Sequence, residues 1–178
     1  MTNLFNHGQI SQLQLPDGWI EVEVKRHDFE QASLKEFEKN NGHLCFYFRG
    51  LPTSESGACA FEQVLSQASH HLSAREIANL SETLGDTADD TEFKILDART
   101  EDWNDKRVLV IEGRWLKDKL DMIKFFIDAQ GDGGVVQEIY FFGSASTYAG
   151  LLPEIKAALR SIKWKVRESA NASETGKN

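Results

Sequence analysis

The chain has 178 residues, with 28 acidic against 20 basic side chains and a formal net charge of -8, enough length for one domain with a core of its own. That balance argues against the broad basic face that a phosphate backbone demands, and no apolar run approaches the roughly 18 residues of a membrane span. Cys45 and Cys59 lack any CxxC spacing, so neither a zinc ribbon nor a redox dithiol is indicated.

The opening MTNLFNHGQISQLQLPDGW has neither the basic nor the apolar region of an export signal, and the expectation is a soluble, cytoplasmic protein. After a Pro-Asp-Gly turn at Pro16 to Gly18, DGWIEVEVKRH alternates Ile20, Val22 and Val24 with Glu21, Glu23 and Lys25, the pattern of a strand with one dry face. SLKEFEK is compatible with helix or strand, since Leu34 and Phe37 fit a helical spacing while its place between two strands favours a hairpin partner, and we read it as a strand. Asn40, Asn41 and Gly42 form a turn before the strand of LCFYFRG, within which Cys45 reads as a small buried hydrophobe.

From Ser54 to Gly85 the period changes. Phe61, Val64, Leu65 and Ala68, then Ile77, Ala78, Leu80 and Leu84, predict two helices. Ser73 and Glu76 form a capping box at the start of the second, and Gly85 is its stop. An acidic loop, DTADDTE, then leads to four alternating segments: FKILDARTE, KRVLVIEGRWLKD, KLDMIKFFIDAQ and VVQEIYFFG. Turns at Asn104-Asp105, Lys117 to Lys119 and the GDGG run from Gly131 to Gly134 join them into a meander. Tyr140, Phe141 and Phe142 put aromatic rings on both faces of the last strand, so both faces are expected to be covered, one by the closing helix and the other by either the excursion helices or a second subunit, of which we expect the helices. Leu151, Leu152, Ile155, Ala158, Leu159 and Ile162 stripe a closing helix, with Pro153 in its first turn or at a break. Trp164 is the next anchor. One domain spans residues 1–167, and the tail 168–178, in which nothing apolar exceeds alanine, is expected to be disordered.

No catalytic signature emerges. Asp128-Ala-Gln-Gly-Asp132-Gly133 begins like a calcium loop, but the twelfth position is Ile139 and not glutamate, which leaves a polar hairpin turn. His70 and His71 are adjacent and point apart on a helix, while His7, His27 and His43 are scattered, so solvent-facing histidines are expected and no metal site. Ser146 or Thr147 reads as a helix cap. No nucleophile elbow or phosphate loop occurs, and no cofactor is implied. The candidate recognition surface is Trp103 with Arg99 and Arg107. Trp103 sits beside a polar turn in ARTEDWNDKR, where it either folds back as a lid on the sheet or stays open to a partner.

The strand LDARTEDWNDKRVLVIEGRW, its partner DMIKFFIDAQ, the strand VVQEIYFF and the final helix ending LRSIKW resemble the PsbP-like superfamily, which groups extrinsic photosystem II subunits with Ran-binding Mog proteins. LPDGWIEVEV near the start extends the resemblance. It implies an α+β fold, an antiparallel sheet meander flanked by helices in a PsbP/Mog-like α/β/α sandwich. It also implies a protein that binds or assembles and does not turn over a substrate. The functional expectation is therefore a non-enzymatic binding or adaptor protein, monomeric, with an unidentified protein partner and no nucleic acid or membrane. The alternative is a small-molecule-binding protein or small enzyme with its site between the sheet and the 54–85 helical excursion.

Overall fold

A computed structural model describes residues 2–24, 33–50, 55–103, 105–131 and 135–166. The central layer is a seven-stranded antiparallel sheet built from β3 (Ile20–Val22), β4 (Leu34–Lys39), β5 (Gly42–Arg49), β6 (Phe93–Trp103), β7 (Lys106–Trp115), β8 (Asp121–Ile127) and β9 (Val136–Gly143). Its spatial order is β3-β4-β5-β9-β8-β7-β6. The four segments from Phe93 onward form adjacent antiparallel strands as their alternation requires, and β9 then pairs with β5 to join the two halves of the chain. SLKEFEK is a strand, pairing Phe37 with Leu44 and Glu36 with Cys45. The first predicted strand is shorter than its pattern: only Ile20–Val22 pairs, Ile20 is exposed, and the buried residue is Trp19. The positions from Lys25 onward in that segment, the turn residues Asn104 and 132–134, and the tail lie outside the described residues.

Strand alternation divides the sheet chemistry into two faces. Phe37, Phe46, Val108, Val110, Ile123, Phe125, Ile139 and Phe141 point to one side. Leu109, Ile111, Met122, Phe126 and Val136 point to the other. The first face is covered by helix α4 (Ala145–Leu159) and by a second sheet, in which β2 (Ile10–Leu15) lies between β1 (Thr2–His7) and β10 (Lys163–Trp164). This amino-terminal hairpin has no counterpart in the sequence reading; it buries Leu4, Ile10, Leu13 and Leu15 in the core and adds polar anchors. Gln9 accepts from Ala129 N–H at 2.6 Å and donates to the Val135 carbonyl at 2.8 Å, while its own N–H donates to Gln137 Oε1 at 3.1 Å. Gly8, between the strands, has φ +56°, and a Cβ there would stand 2.3 Å from Gln137 Oε1, so backbone and space both require glycine.

Helix α4 is capped by Ser144, whose hydroxyl accepts from Thr147 N–H, two residues before the earliest expected cap. Leu151, Ile155 and Leu159 follow at intervals of one turn and are buried with Ala158. Pro153 lies inside the continuous helix, neither in the first turn nor at a break. Both Pro153 and Ala149, whose carbonyl loses its intrahelical donor, lie on the exposed side, where water can replace the missing bond.

The second face carries three short helices instead of two: α1 (Glu55–Ser66), α2 (Ala74–Asn79) and α3 (Ser81–Leu84). The capping box is formed, with the Ser73 hydroxyl accepting from Glu76 N–H and the Glu76 carboxylate accepting from Ser73 N–H. The Ser73 N–H and hydroxyl both donate to the Glu76 carboxylate and, with His70 adding another bond, hold its pKa down to about 2. The helix breaks at Leu80, and Gly85 closes α3 with φ +59° before a 3-10 turn over Gly85–Ala88. Phe61, Val64, Leu80 and Leu84 bury against the sheet. Gly113 on β7 is packed under Phe93, with a Cβ meeting the ring at 2.4 Å and the Lys94 carbonyl at the same distance.

Candidate functional site

Pairing of Trp103 with Lys106 and of Asp102 with Arg107 separates the three sequence candidates. Trp103 and Arg99, four residues apart on β6, share the face that carries α4, and Arg107 points to the opposite one. Trp103 is 4% exposed, lies against Phe125 with ring centroids 4.8 Å apart, and donates its indole N–H to Glu101 Oε2 at 3.1 Å. Of its two expected placements, the fold adopts the lid. Arg99 is held by Asp97, Glu101 and Glu112; burial opposes its charge, but the three carboxylates outweigh it and raise its pKa. Arg107 pairs with Asp102. Trp103 is thus a buried aromatic, and Arg99 and Arg107 are committed to neighbouring carboxylates.

Of the histidines expected to face solvent, His71 is exposed and His7 is not. His7 is buried, its Nε2 2.8 Å from the Phe46 carbonyl and its ring edge-on to Phe48; burial, partly opposed by the Phe46 bond, lowers its pKa. His70 is tied to Glu76 and His71 to Asp97. His43 stacks on Phe142 at 4.9 Å and contacts Glu36, while His27 lies outside the described residues. No group of three or more metal-type side chains occurs among the described residues. Cys45 is buried and Cys59 exposed, both as free thiols.

A concave feature lies on the face that carries α1 to α3, where these helices stop short of β5, β9 and the far half of β8. It is a half-open groove of about 660 Å³. Alternate residues of three neighbouring strands supply its floor: Tyr47 and Arg49 from β5, Glu138, Tyr140 and Phe142 from β9, Met122 and Lys124 from β8. Leu84 and the 3-10 turn form one wall, Trp115 and Leu120 the other. Tyr140 and Phe142 are half-buried, in contrast to fully buried Phe141 between them. The face of β9 expected to be sealed by the excursion helices is thus partly open.

The charged floor residues hold one another. Arg49 Nε donates to Glu138 Oε2 at 2.8 Å, and its Nη2 to the Thr83 carbonyl at 2.6 Å. Lys124 Nζ lies 3.2 Å from Glu138 Oε1 and 3.6 Å from Asp86, and 5.7 Å from the Tyr140 ring centroid. The Lys124 contact is an ion pair without hydrogen-bond alignment, so Glu138 Oε1 and the neighbouring Thr83 hydroxyl remain buried without a hydrogen-bond partner. Sequence reasoning passed over these groups. Their signal was the presence of Lys124 and Glu138 within otherwise apolar strands, MIKFFI and VVQEIY, where a charge needs a buried partner or a cavity.

No family model matches the chain, and no curated protein matches it by sequence. Among solved structures, the solution structure of cyanobacterial PsbP from Synechocystis superimposes with a TM-score of 0.55 at 10% identity, covering 92% of both chains. A Pseudomonas aeruginosa protein of unknown function superimposes with a TM-score of 0.46 at 11% identity, covering 92% of this chain and 100% of that one. The fold is PsbP-like, an α+β architecture of antiparallel sheets and helices. At such identity the likeness concerns backbone alone, and function has to be argued from the groove. No helix among the described residues is long and apolar enough to cross a membrane.

Proposed function

We propose that this protein is a non-enzymatic binding protein, an adaptor in the sense of the PsbP/Mog-like resemblance, and that it holds an apolar segment of a protein partner in the groove between β5, β9 and β8. The observation that carries this reading is the aromatic and aliphatic floor left accessible on an otherwise covered sheet. A sheet face that its own helices leave partly open retains apolar area for another chain to bury. The pairing of Arg49, Lys124 and Glu138 with one another supports binding over catalysis, since a reacting group needs to converge on substrate. In this reading the protein works as a cytoplasmic monomer, with the groove as its one working surface.

The size of the groove favours one further reading. About 660 Å³ is also the scale of a small-molecule site, and an amphipathic ligand could occupy the same floor. Affinity capture from the native host with wild type and Tyr140→Glu, beside Trp103→Phe as a control outside the groove, tests the proposal. A protein partner retained by wild type and the control but lost by Tyr140→Glu supports it. A partner retained by all three contradicts it, and a groove filled in native mass spectra by a small molecule establishes the second reading.

A further inference from the structure

β6 is the last strand of the seven-stranded sheet, and an edge strand presents backbone groups that another chain can take up. Here the middle of that edge is closed from within. Between α1 and α2 the chain runs antiparallel to β6, with His71 bridged to Arg99. Leu72 N–H donates to the Ala98 carbonyl at 2.8 Å, and Thr100 N–H donates to the His70 carbonyl at 2.9 Å. His70 N–H adds a bond to the Thr100 hydroxyl at 3.1 Å, and the Ser69 hydroxyl donates to Asp102 at 3.0 Å. Apolar anchorage is slight: Leu72 packs on the core, while Ser69, His71 and Ser73 are exposed.

The remaining ties are imidazoles. His70 has an acceptor at each ring nitrogen, with Nδ1 2.8 Å from the Ala68 carbonyl and Nε2 3.0 Å from Glu76 Oε1. A neutral imidazole has one N–H and serves one of them, whereas the imidazolium serves both. Because the same Glu76 carboxylate also accepts from Ser73, the ring joins the exit of α1 to the first turn of α2. His71 Nδ1 lies 3.0 Å from Asp97 Oδ1. Facing this segment are the carboxylates Glu76 from α2 and Asp97 and Asp102 from β6, and the cations Arg107 from β7 and Arg99 from β6. At His70 the acceptors outweigh Arg107, and its pKa is raised, chiefly by the bond to Glu76.

We propose that residues 69–72 form a proton-set strap over the β6 edge, closed while His70 carries both ring protons and loosened when it gives one up. The contribution of that proton is complete below the ordinary imidazole value of about 6.5 and is lost as pH rises through the higher value of the closed strap. Loosening uncovers the Ala98 carbonyl and Thr100 N–H, so mild alkalinity, and not acid, makes the edge available.

Amide hydrogen exchange of the full chain from pH 6 to pH 8, corrected for intrinsic rates, reads the strap at Leu72 and Thr100 and the whole fold at β8. Protection at Leu72 and Thr100 is expected to fall about three- to fivefold over that range, the scale of one exposed charged contact, while β8 holds. His70→Gln, which does not titrate, should flatten the profile, and His71→Gln should keep it. The His70 ring, followed through its carbon-bound protons, should titrate above the ordinary imidazole value. Constant or rising protection at the two amides, a fall shared by β8, a profile that survives His70→Gln or disappears with His71→Gln alone, or a ring that titrates below the ordinary value would each overturn the proposal.

Discussion

Replacing Trp103 by alanine is expected to destabilise the protein severely, although the residue borders a turn. Trp103 is 4% exposed and packs on Phe125 within the main core. An aromatic side chain of this size removes roughly 150 to 250 Å² from water, which at about 25 cal/mol per Å² corresponds to roughly 4 to 6 kcal/mol. The alanine methyl retains a little of this, and partial collapse of the site recovers more, so the expected loss is about 3 to 5 kcal/mol. Loss of the indole N–H adds little, because Glu101 keeps Arg99 as a partner. Trp103→Phe should therefore cost only about 1 kcal/mol, the scale of one hydrogen bond and some ring area. Urea denaturation measures both, with the midpoint moving and the slope unchanged if the native fold persists. A loss below about 1 kcal/mol for Trp103→Ala would refute the lid assignment, since that is the response of an ordinary surface position.

Gly113→Ala should cost about 2 kcal/mol or more in the same assay, because the new methyl overlaps the Phe93 ring and the Lys94 carbonyl, an overpacked contact with backbone on one side. His7 has a lowered pKa through burial, so the unfolded chain takes up a proton near pH 6.5 that the native state resists. Its contribution is complete above that pH and is lost as pH falls through it towards the native value. His70, raised chiefly by its bond to Glu76, acts in the opposite sense. The difference in stability between wild type and His7→Asn, measured by urea titration across pH 8 to 5, isolates the first effect and should narrow on acidification. Glu138→Ala leaves Lys124 and Arg49 without their shared carboxylate and is expected to cost about 3 kcal/mol. Lys124→Met combined with Glu138→Leu should recover much of that loss, as a double-mutant cycle would show.

The parts of the fold legible in the sequence are those where one physical rule acts without competition. β6 to β9 are legible as short apolar-rich runs between polar turns, buried on both faces of one sheet, and Ser73 with Glu76 announces a helix start through bonds confined to four residues. The amino-terminal hairpin is hard to read because its core residues Leu4, Ile10, Leu13 and Leu15 are sparse among polar ones, and the buried amide and imidazole bonds of Gln9 and His7 have no hydrophobic signature. The strand over Ile20 to Val24 was overextended because alternation alone does not say which parity is buried, and Trp19 took that place. The candidate surface of Trp103, Arg99 and Arg107 came from neighbours along the chain, whereas the register sends Arg107 to the opposite face. The groove is a tertiary product. Its floor was visible only as charged residues in apolar strands, and its opening depends on how far α3 and the 3-10 turn reach across the sheet.

The most direct test of the central claim is a chemical-shift footprint of a synthetic apolar peptide, Leu-Phe-Leu-Phe, on isotope-labelled protein. The account predicts saturable shifts at the Met122 methyl, Leu84, Leu120, Tyr140 and Phe142, with Leu151 and Ile155 of the α4 face unmoved. Shifts centred on the α4 face or on the surroundings of Arg99, with the groove silent at saturation, would contradict it.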